Sequence, residues 1–157
     1  MDKLKKLIAK GIHDSTGMLC VPETSSDPRP ERPFITYNIT TIAEGMGKRI
    51  TLYDPKGDLK RTDKINFNIT ASFNVYGDED DAIAVYNHFK LYGYYDLKKE
   101  GFVVVSIEDF GNRDYIEVDK VIRRQGFDVI LRYEHVIEKE EEQIDGVKIK
   151  TGGIIND

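Results

Sequence analysis

The feature that most constrains the fold is a strict alternation of apolar and polar side chains over residues 64–76, KINFNITASFNVY. The odd positions from Ile65 to Val75 are all apolar, whereas the even positions from Asn66 to Asn74 carry asparagine, threonine or serine. Side chains of a strand point alternately to its two faces, so this period of two predicts a long β-strand with one apolar face. That face needs a cover, which predicts a layered domain built around this strand.

The cover follows directly in the sequence. Gly77 ends the strand, and four acidic residues at positions 78–81 begin a segment with helical periodicity. Its apolar residues form one stripe: Ala82, Val85, Tyr86, Phe89 and Tyr92. We therefore predict one main helix over about residues 78–92, packed on the strand, and a turn over residues 93–101.

The remaining segments predict an α+β fold with a mostly antiparallel sheet and helices packed on it. Residues 1–10 form an amphipathic pattern typical of a short helix, which Gly11 would end. Residues 34–42 contain YNIT, which echoes FNIT in the central strand and predicts that the two strands are neighbours. Further strands are predicted over residues 102–107, where a continuous apolar run favours burial on both faces or an interior position, and over residues 127–137. Residues 108–114 are predicted as a polar loop, and residues 115–124 fit either a strand or a helix.

A chain of 157 residues predicts a single domain over residues 1–157, with three segments outside its core. The first is a Pro-rich arm over residues 22–33, in which Pro28, Pro30 and Pro33 disfavour ladder hydrogen bonds. The second is a hairpin excursion over residues 43–63, and the third is an acidic C-terminal tail over residues 138–157. Segments of this kind are where binding surfaces tend to lie.

The net charge of −5 argues against a sequence-independent grip on nucleic acid, which needs a basic footprint. It does not exclude a protein that surrounds DNA without holding it. A single cysteine, Cys20, excludes an intrachain disulfide, and the sequence contains no apolar run of membrane-spanning length. We therefore expect no membrane association.

No pattern of catalytic, cofactor-binding or metal-ligating residues is present in the sequence. His13, His88 and His135 lie in three different predicted elements, and each is expected at the surface or half-buried. The acidic run at 78–81 is interpreted as helix capping, because carboxylates at a helix N-terminus accept from its free N–H groups. The sequence thus predicts no enzyme and no cofactor.

Four segments of the chain, in order, resemble bacteriophage neck or tail terminator proteins, also called tail completion proteins. They are RPFITYNIT at 32–40, SFNVY at 72–76, GNRD at 111–114 and RRQGFDVILRY at 123–133. The resemblance implies an α+β subunit that assembles into a ring, typically a hexamer, which caps the tail tube and joins it to the head connector. It also implies that DNA passes through the ring and that the family has no catalytic residues.

The partners implied are therefore further copies of the chain, the tail tube protein and a head-completion or connector protein. DNA would cross the lumen without specific binding. The expected location is the tail or neck of the virion, after assembly in the host bacterial cytoplasm. Three other readings of the sequence remain open: a small-molecule- or peptide-binding α+β regulatory module, another tail tube or head-completion protein, and an enzyme built from scattered residues.

Two sets of residues are candidates for contacts in such an assembly. Residues expected to meet a neighbouring subunit or partner are Leu4, Leu7, Ile8, Arg49, Tyr53 and Lys56. Acidic residues expected to face the lumen are Asp78, Asp80, Glu140, Glu141 and Glu142. For each acidic run, an ordinary solvated face is the alternative.

Overall fold

The computed structural model describes residues 1–44, 50–53 and 60–140. Three helices and eight strands follow one another along these residues. In chain order they are α1 (Asp2–Thr16), β1 (Leu19–Pro22), β2 (Phe34–Glu44), β3 (Ile50–Tyr53), β4 (Lys60–Tyr76), α2 (Glu79–Asn87), α3 (Gly93–Lys99), β5 (Phe102–Asn112), β6 (Tyr115–Glu117), β7 (Lys120–Ile122) and β8 (Gln125–Glu140). A π-helical turn, His88–Tyr92, joins α2 to α3. This is the predicted α+β fold.

The main sheet has the strand order β1-β2-β4-β8-β5, with β3 paired to the beginning of β4. All its pairings are antiparallel except the short parallel pair β1–β2. The predicted central strand is confirmed as β4, which begins at Lys60 and pairs with β8 from Lys60 to Val75. The predicted neighbours are confirmed as β2 and β4, where Asn38 lies opposite Ser72.

The apolar face of β4 supplies the centre of the core. Ile69, Ala71, Phe73 and Val75 are buried, and the helices cover them. The ring of Phe73 contacts two others, with centroids 4.8 Å from Phe89 of the π-helical turn and 5.6 Å from Phe127 of β8. The core is completed by buried residues of both helical segments and of β8: Leu4, Ile8, Ile12, Ala82, Val85, Val129 and Leu131.

Both helix ends predicted at glycines are wrong, because these glycines make room for a buried histidine. Helix α1 continues through Gly11 and ends with Gly17 in the left-handed conformation. The predicted turn at 93–101 is largely helix α3. Gly11 and Gly93 border the imidazole of His88, and a Cβ added at Gly93 would overlap that ring. His88 is therefore buried between helices, and the expectation of a surface or half-buried residue is wrong for it.

Strand β5 departs from its prediction in two ways. Among the described strands it pairs with β8 on one side only, so it lies at the sheet edge, and one of its faces exposes Val103 and Val105. Both predicted alternatives, an interior position and burial on both faces, are therefore wrong. The strand continues to Asn112, where a polar loop was predicted. Two register shifts, between Val104 and Ser106 and between Glu108 and Gly111, interrupt its alternation. These bulges removed the period of two that would have identified a strand.

The three predicted outer segments overlap the sheet. Pro22 of the arm ends β1. In the excursion, residues 43–44 continue β2, residues 50–53 form β3 and residues 60–63 belong to β4, and in the tail residues 138–140 belong to β8. The segment left undecided, 115–124, contains the antiparallel hairpin β6–β7. Residues 45–49, 54–59 and 141–157, which carry the rest of the predicted excursion and tail, lie outside the described residues.

We predict that Gly93→Ala destabilises the fold through His88. Alanine gains about 1 kcal/mol in helix propensity over glycine, but the new methyl overlaps the buried imidazole, and overpacking costs about 1–3 kcal/mol. In a His88→Ala background the overlap is gone, so the same substitution should be neutral or stabilising. Urea unfolding of all four chains measures this coupling. An equal cost of Gly93→Ala in both backgrounds would contradict it.

We also predict a pH dependence of stability that originates at His88. Burial lowers the pKa of His88 below its ordinary value, and Asp96 opposes the shift. Below about pH 6.5 His88 is therefore protonated more readily in the unfolded chain than in the folded chain. The free energy of unfolding falls as the pH drops through this range, by at most about 1.4 kcal/mol per pH unit. His88→Gln should reduce the pH dependence of the free energy of unfolding between pH 7 and 5. His13→Gln, at an exposed position of α1, should leave the slope unchanged.

Candidate assembly surfaces

The predicted interface residues occupy several kinds of position. Leu4 and Ile8 are fully buried in the core of their own subunit, which leaves them no surface for a neighbour. Leu7 is partly buried against the same core. Tyr53 is the last residue of β3, and its side chain is not among those described. Arg49 and Lys56 lie outside the described residues. Helix α1 therefore has a role within the subunit through Leu4 and Ile8.

The predicted lumen residues are also divided. Asp78 is the N-cap of α2: its Oδ1 accepts from the Asp81 N–H at 2.9 Å, and its own N–H donates to Asp81 Oδ2 at 3.0 Å. This capping box accounts for Asp78 locally, as interpreted from the sequence. Asp80 is exposed in the first turn of α2. Glu140 ends β8, whereas Glu141 and Glu142 lie outside the described residues.

Sequence reasoning missed a polar cluster where β4 ends and β8 begins. Arg113 donates to Ser72 Oγ at 2.7 Å and forms an ion pair with Asp128 at 2.9 Å. Its side chain lies across Gly126, where an added Cβ would overlap Arg113 and approach the Phe73 carbonyl at 2.7 Å. Gly126 is therefore required for Arg113 to reach across the sheet. Charge-assisted hydrogen bonds of this kind are stronger than neutral ones.

Arg124 continues this polar cluster from the other side of the hairpin. Its Nε donates to the Arg113 carbonyl at 2.8 Å, and its backbone N–H donates to Asp114 Oδ1 at 2.8 Å. The hydrogen bond from the Arg124 backbone is the main cause that lowers the pKa of Asp114 below its ordinary value, because it favours the charged carboxylate. The Arg113 N–H donates in return to the Arg124 carbonyl at 2.9 Å.

The Arg124 guanidinium also joins the hairpin to the rest of the sheet. It lies 4.6 Å from the ring centroid of Tyr115 and donates to the Tyr76 hydroxyl at 3.1 Å. Tyr76 stacks on Phe34 with ring centroids 4.5 Å apart. The guanidinium also pairs with Glu23, in the predicted arm, at 3.3 Å. Cation–π and ion-pair contacts thus fix the base of the hairpin on β2 and β4.

These contacts bring together the four segments on which the family resemblance rests. Phe34 comes from the first, Ser72 and Tyr76 from the second, Arg113 from the third and Arg124 from the fourth. The shared sequence pattern therefore corresponds to one structural feature, the anchored base of the hairpin. We could not have placed these residues together from the sequence, because they lie up to 90 positions apart (34 to 124).

Unlike the polar base of the hairpin, its tip exposes three apolar side chains to solvent. The exposed fractions of Ile116, Val118 and Val121 are 75%, 89% and 63%. The turn places Val118 at φ 44° and Asp119 at φ 63°, values typical of a two-residue type I′ turn. Asparagine or glycine is usual there, and a β-branched residue at positive φ is a genuine outlier. In the isolated subunit the tip is therefore unfavourable for two reasons: its apolar side chains are exposed, and Val118 has a positive φ.

The described part of the chain was also compared with the requirements of a metal site, a membrane-spanning helix and a ligand-binding cleft. No group of three or more His, Cys, Asp or Glu residues there is arranged to hold a metal ion. No helix among the described residues is long and apolar enough to cross a membrane. An open cleft of about 560 Å³ separates the hairpin from the start of α2, and its walls carry three acidic residues and two basic ones: Asp78, Glu79, Asp114, Arg123 and Arg124. Charges of both signs give this cleft no preference for an anion or a cation.

We predict that Val118→Asn stabilises the isolated subunit. Asparagine tolerates the left-handed region, so the change should raise the free energy of unfolding by about 1 kcal/mol. Ile116→Asn is the matched control. It also replaces an exposed apolar side chain of the hairpin, but at a position without a positive φ. Denaturant unfolding in dilute solution compares the two. A loss of stability in Val118→Asn would contradict the strain at this turn.

Comparison with known proteins agrees with the resemblance found in the sequence. A family model described as phage neck terminator protein matches residues 1–157. No curated protein matches the chain. The matched family consists of structural phage proteins that associate with other head and tail proteins at the virion neck. The chain therefore belongs to the phage neck terminator family and is a structural protein of the phage tail and neck.

Proposed function

We propose that this chain forms a homo-oligomeric ring, a hexamer, that caps the completed tail tube and joins it to the head connector. The observation that carries the proposal is the anchored hairpin β6–β7, which holds an apolar, conformationally strained tip out in solvent. Exposed apolar groups at fixed positions are typical of assembly contacts. Family membership supports an assembly role at the neck.

A ring made by rotation requires two different surfaces on each subunit, because each copy meets a neighbour on either side. The described part of the chain offers unlike surfaces. One is the hairpin tip. Another is the outer edge of β5, which pairs only with β8 among the described strands and where Val103 and Val105 are exposed. Further partners of the ring are the tail tube protein on one face and a head-completion or connector protein on the other.

The lumen would allow DNA to pass without specific binding. A net charge of −5 opposes adhesion of a polyanion, which fits a channel better than a binding site. Asp80 remains a lumen candidate because it is exposed, and Glu140, Glu141 and Glu142 remain candidates from the sequence. Asp78 is retained with them, although its carboxylate already caps α2. Assembly takes place in the host cytoplasm before the virion is released.

Loss of the protein from the phage tests this function. We expect lysates of a phage with the gene inactivated to contain filled heads without tails and tail tubes of uncontrolled length. Plasmid-borne protein should restore tailed particles of uniform length. Electron micrographs provide the measurement. Joined particles with tails of normal length, in the absence of the protein, would contradict both the capping and the joining role.

The ring itself is tested separately on the purified chain. Light scattering with size-exclusion chromatography should give a mass near six subunits, alone or after addition of tail tubes. Class averages of negatively stained particles should show a central hole. A monomer that neither oligomerises nor binds tube ends at any accessible concentration would contradict the ring.

A further inference from the structure

We propose that the hairpin tip of one subunit, centred on Val118, docks into a notch formed by Ile83 and Phe110 of a second copy. This inference rests on the proposed ring and names a contact that would hold it together. The hairpin needs a cover because Val118 is strained and almost fully exposed. The notch is a separate surface, on the helix side of the edge strand β5.

The notch exists because of a bulge in β5. Val104 and Ile107 pack against the core, so regular alternation would point Asp109 inward next. A one-residue shift with Asp109 at φ 55° turns Phe110 inward instead. The ring of Phe110 then lies 5.3 Å from Tyr86 and 6.0 Å from Phe127, between centroids. Phe110 is nevertheless 45% exposed, as is Ile83 on the neighbouring helix α2.

The size of the notch selects its occupant. Its volume is about 140 Å³, and Glu79, Ile83, Phe110 and Gln125 line it. Small-molecule sites typically enclose about 300–1,000 Å³, so a metabolite is a poor fit. A single aliphatic side chain fits, and Val118 is the most exposed large apolar residue in the described part of the chain.

The charges around the two surfaces are complementary. Glu79 at the start of α2 borders the notch, and the ammonium of Lys90, in the π-helical turn after α2, lies 5.3 Å from the ring centroid of Tyr86. Glu117 and Asp119 flank Val118 on the hairpin, and Lys120 follows Asp119; all three charged residues are exposed. The tip thus carries two exposed anions and one exposed cation, whereas the notch has the anion Glu79 in its lining and the cation Lys90 beyond Tyr86. In the proposed contact, Lys120 faces Glu79 and the carboxylates of the tip face Lys90. Such complementarity fixes register between partners.

The tip and the notch are different surfaces, so a contact between them leaves a free tip on one copy and a free notch on the next. Repetition of a contact of this type closes a ring or extends a filament. A two-fold dimer, by contrast, would satisfy both surfaces at once. If the proposed contact is trapped by a disulfide, more than two copies of the chain should therefore become covalently linked.

Disulfide trapping tests the contact directly. The variant Val118→Cys/Ile83→Cys carries both new thiols on each chain. The native Cys20 is a poor competitor, because burial raises the pKa of its thiol to about 12 and keeps it protonated. After mild oxidation of assembled protein, non-reducing gels should show a ladder of multimers up to the ring size. Val118→Cys alone and Ile83→Cys alone should give no ladder.

Every result of this experiment separates the contact from the ring. A ladder supports the contact. Dimers alone would indicate a two-fold arrangement, and an intrachain disulfide would mean that the tip reaches its own notch; either overturns the proposal. Intact rings without any disulfide would overturn the contact while leaving the proposed function in place. Absence of rings in the parent protein would count against the proposed function itself.

Two noncovalent variants provide an independent test. Val118→Asn should raise Tm of the dilute subunit by about 2–4 °C but weaken its assembly at least tenfold, a combination that a purely structural residue would not give. Lys120→Glu should weaken assembly, and Glu79→Lys in the same chain should restore it. Unchanged assembly of Val118→Asn, or failure of the charge exchange to restore Lys120→Glu, would contradict the contact.

Discussion

The burial of one face of β4 is the constraint on which the rest of the structure depends. Its inward residues lie beneath the helices, and its backbone pairs with β2 along one edge and β8 along the other. Because side chains alternate along a strand, a slip of one position would put asparagine and serine into the core and phenylalanine into solvent. The register of β4 therefore fixes the positions of both neighbours, and through β8 it fixes the edge strand β5 and the hairpin.

The helical layer depends on a second buried contact, the imidazole of His88 between α1 and α3. Its Nδ1 lies 2.8 Å from Ser15 Oγ, and Gly11 and Gly93 border the same ring. The single proton of the Ser15 hydroxyl is donated to the Ile12 carbonyl. In the contact with His88, the imidazole Nδ1–H is therefore the donor and Ser15 Oγ is the acceptor. A polar side chain is thus tolerated in an apolar layer because its hydrogen bond is made and the helices approach closely around it.

The sequence was sufficient for the elements with uninterrupted periodicity and insufficient for contacts between distant segments. The alternation in β4, the stripe of Ala82, Val85 and Phe89 and the capping box at Asp78 are local patterns, and all three are present. The first half of β5 was predicted as a strand, but its bulges broke the alternation, so residues 108–112 were predicted as part of a loop. The glycines beside His88 resembled helix ends because a glycine that admits a neighbouring ring has the same sequence signature as one that ends a helix. The pairing of Arg113 with Asp128 depends on tertiary structure and has no local signal.

The base and the tip of the hairpin differ in what they contribute to the isolated subunit. Its base is anchored by Arg113 and Arg124 through hydrogen bonds of 2.7–2.9 Å, which hold the projection at a fixed angle to the sheet. Its tip carries a valine where the backbone favours asparagine or glycine, and the isolated subunit gains nothing from that choice. A fixed base lowers the entropy lost on docking, whereas an apolar tip adds contact area only in the assembled state. Val118, which is unfavourable in the isolated subunit, is therefore the residue at the centre of the proposed contact.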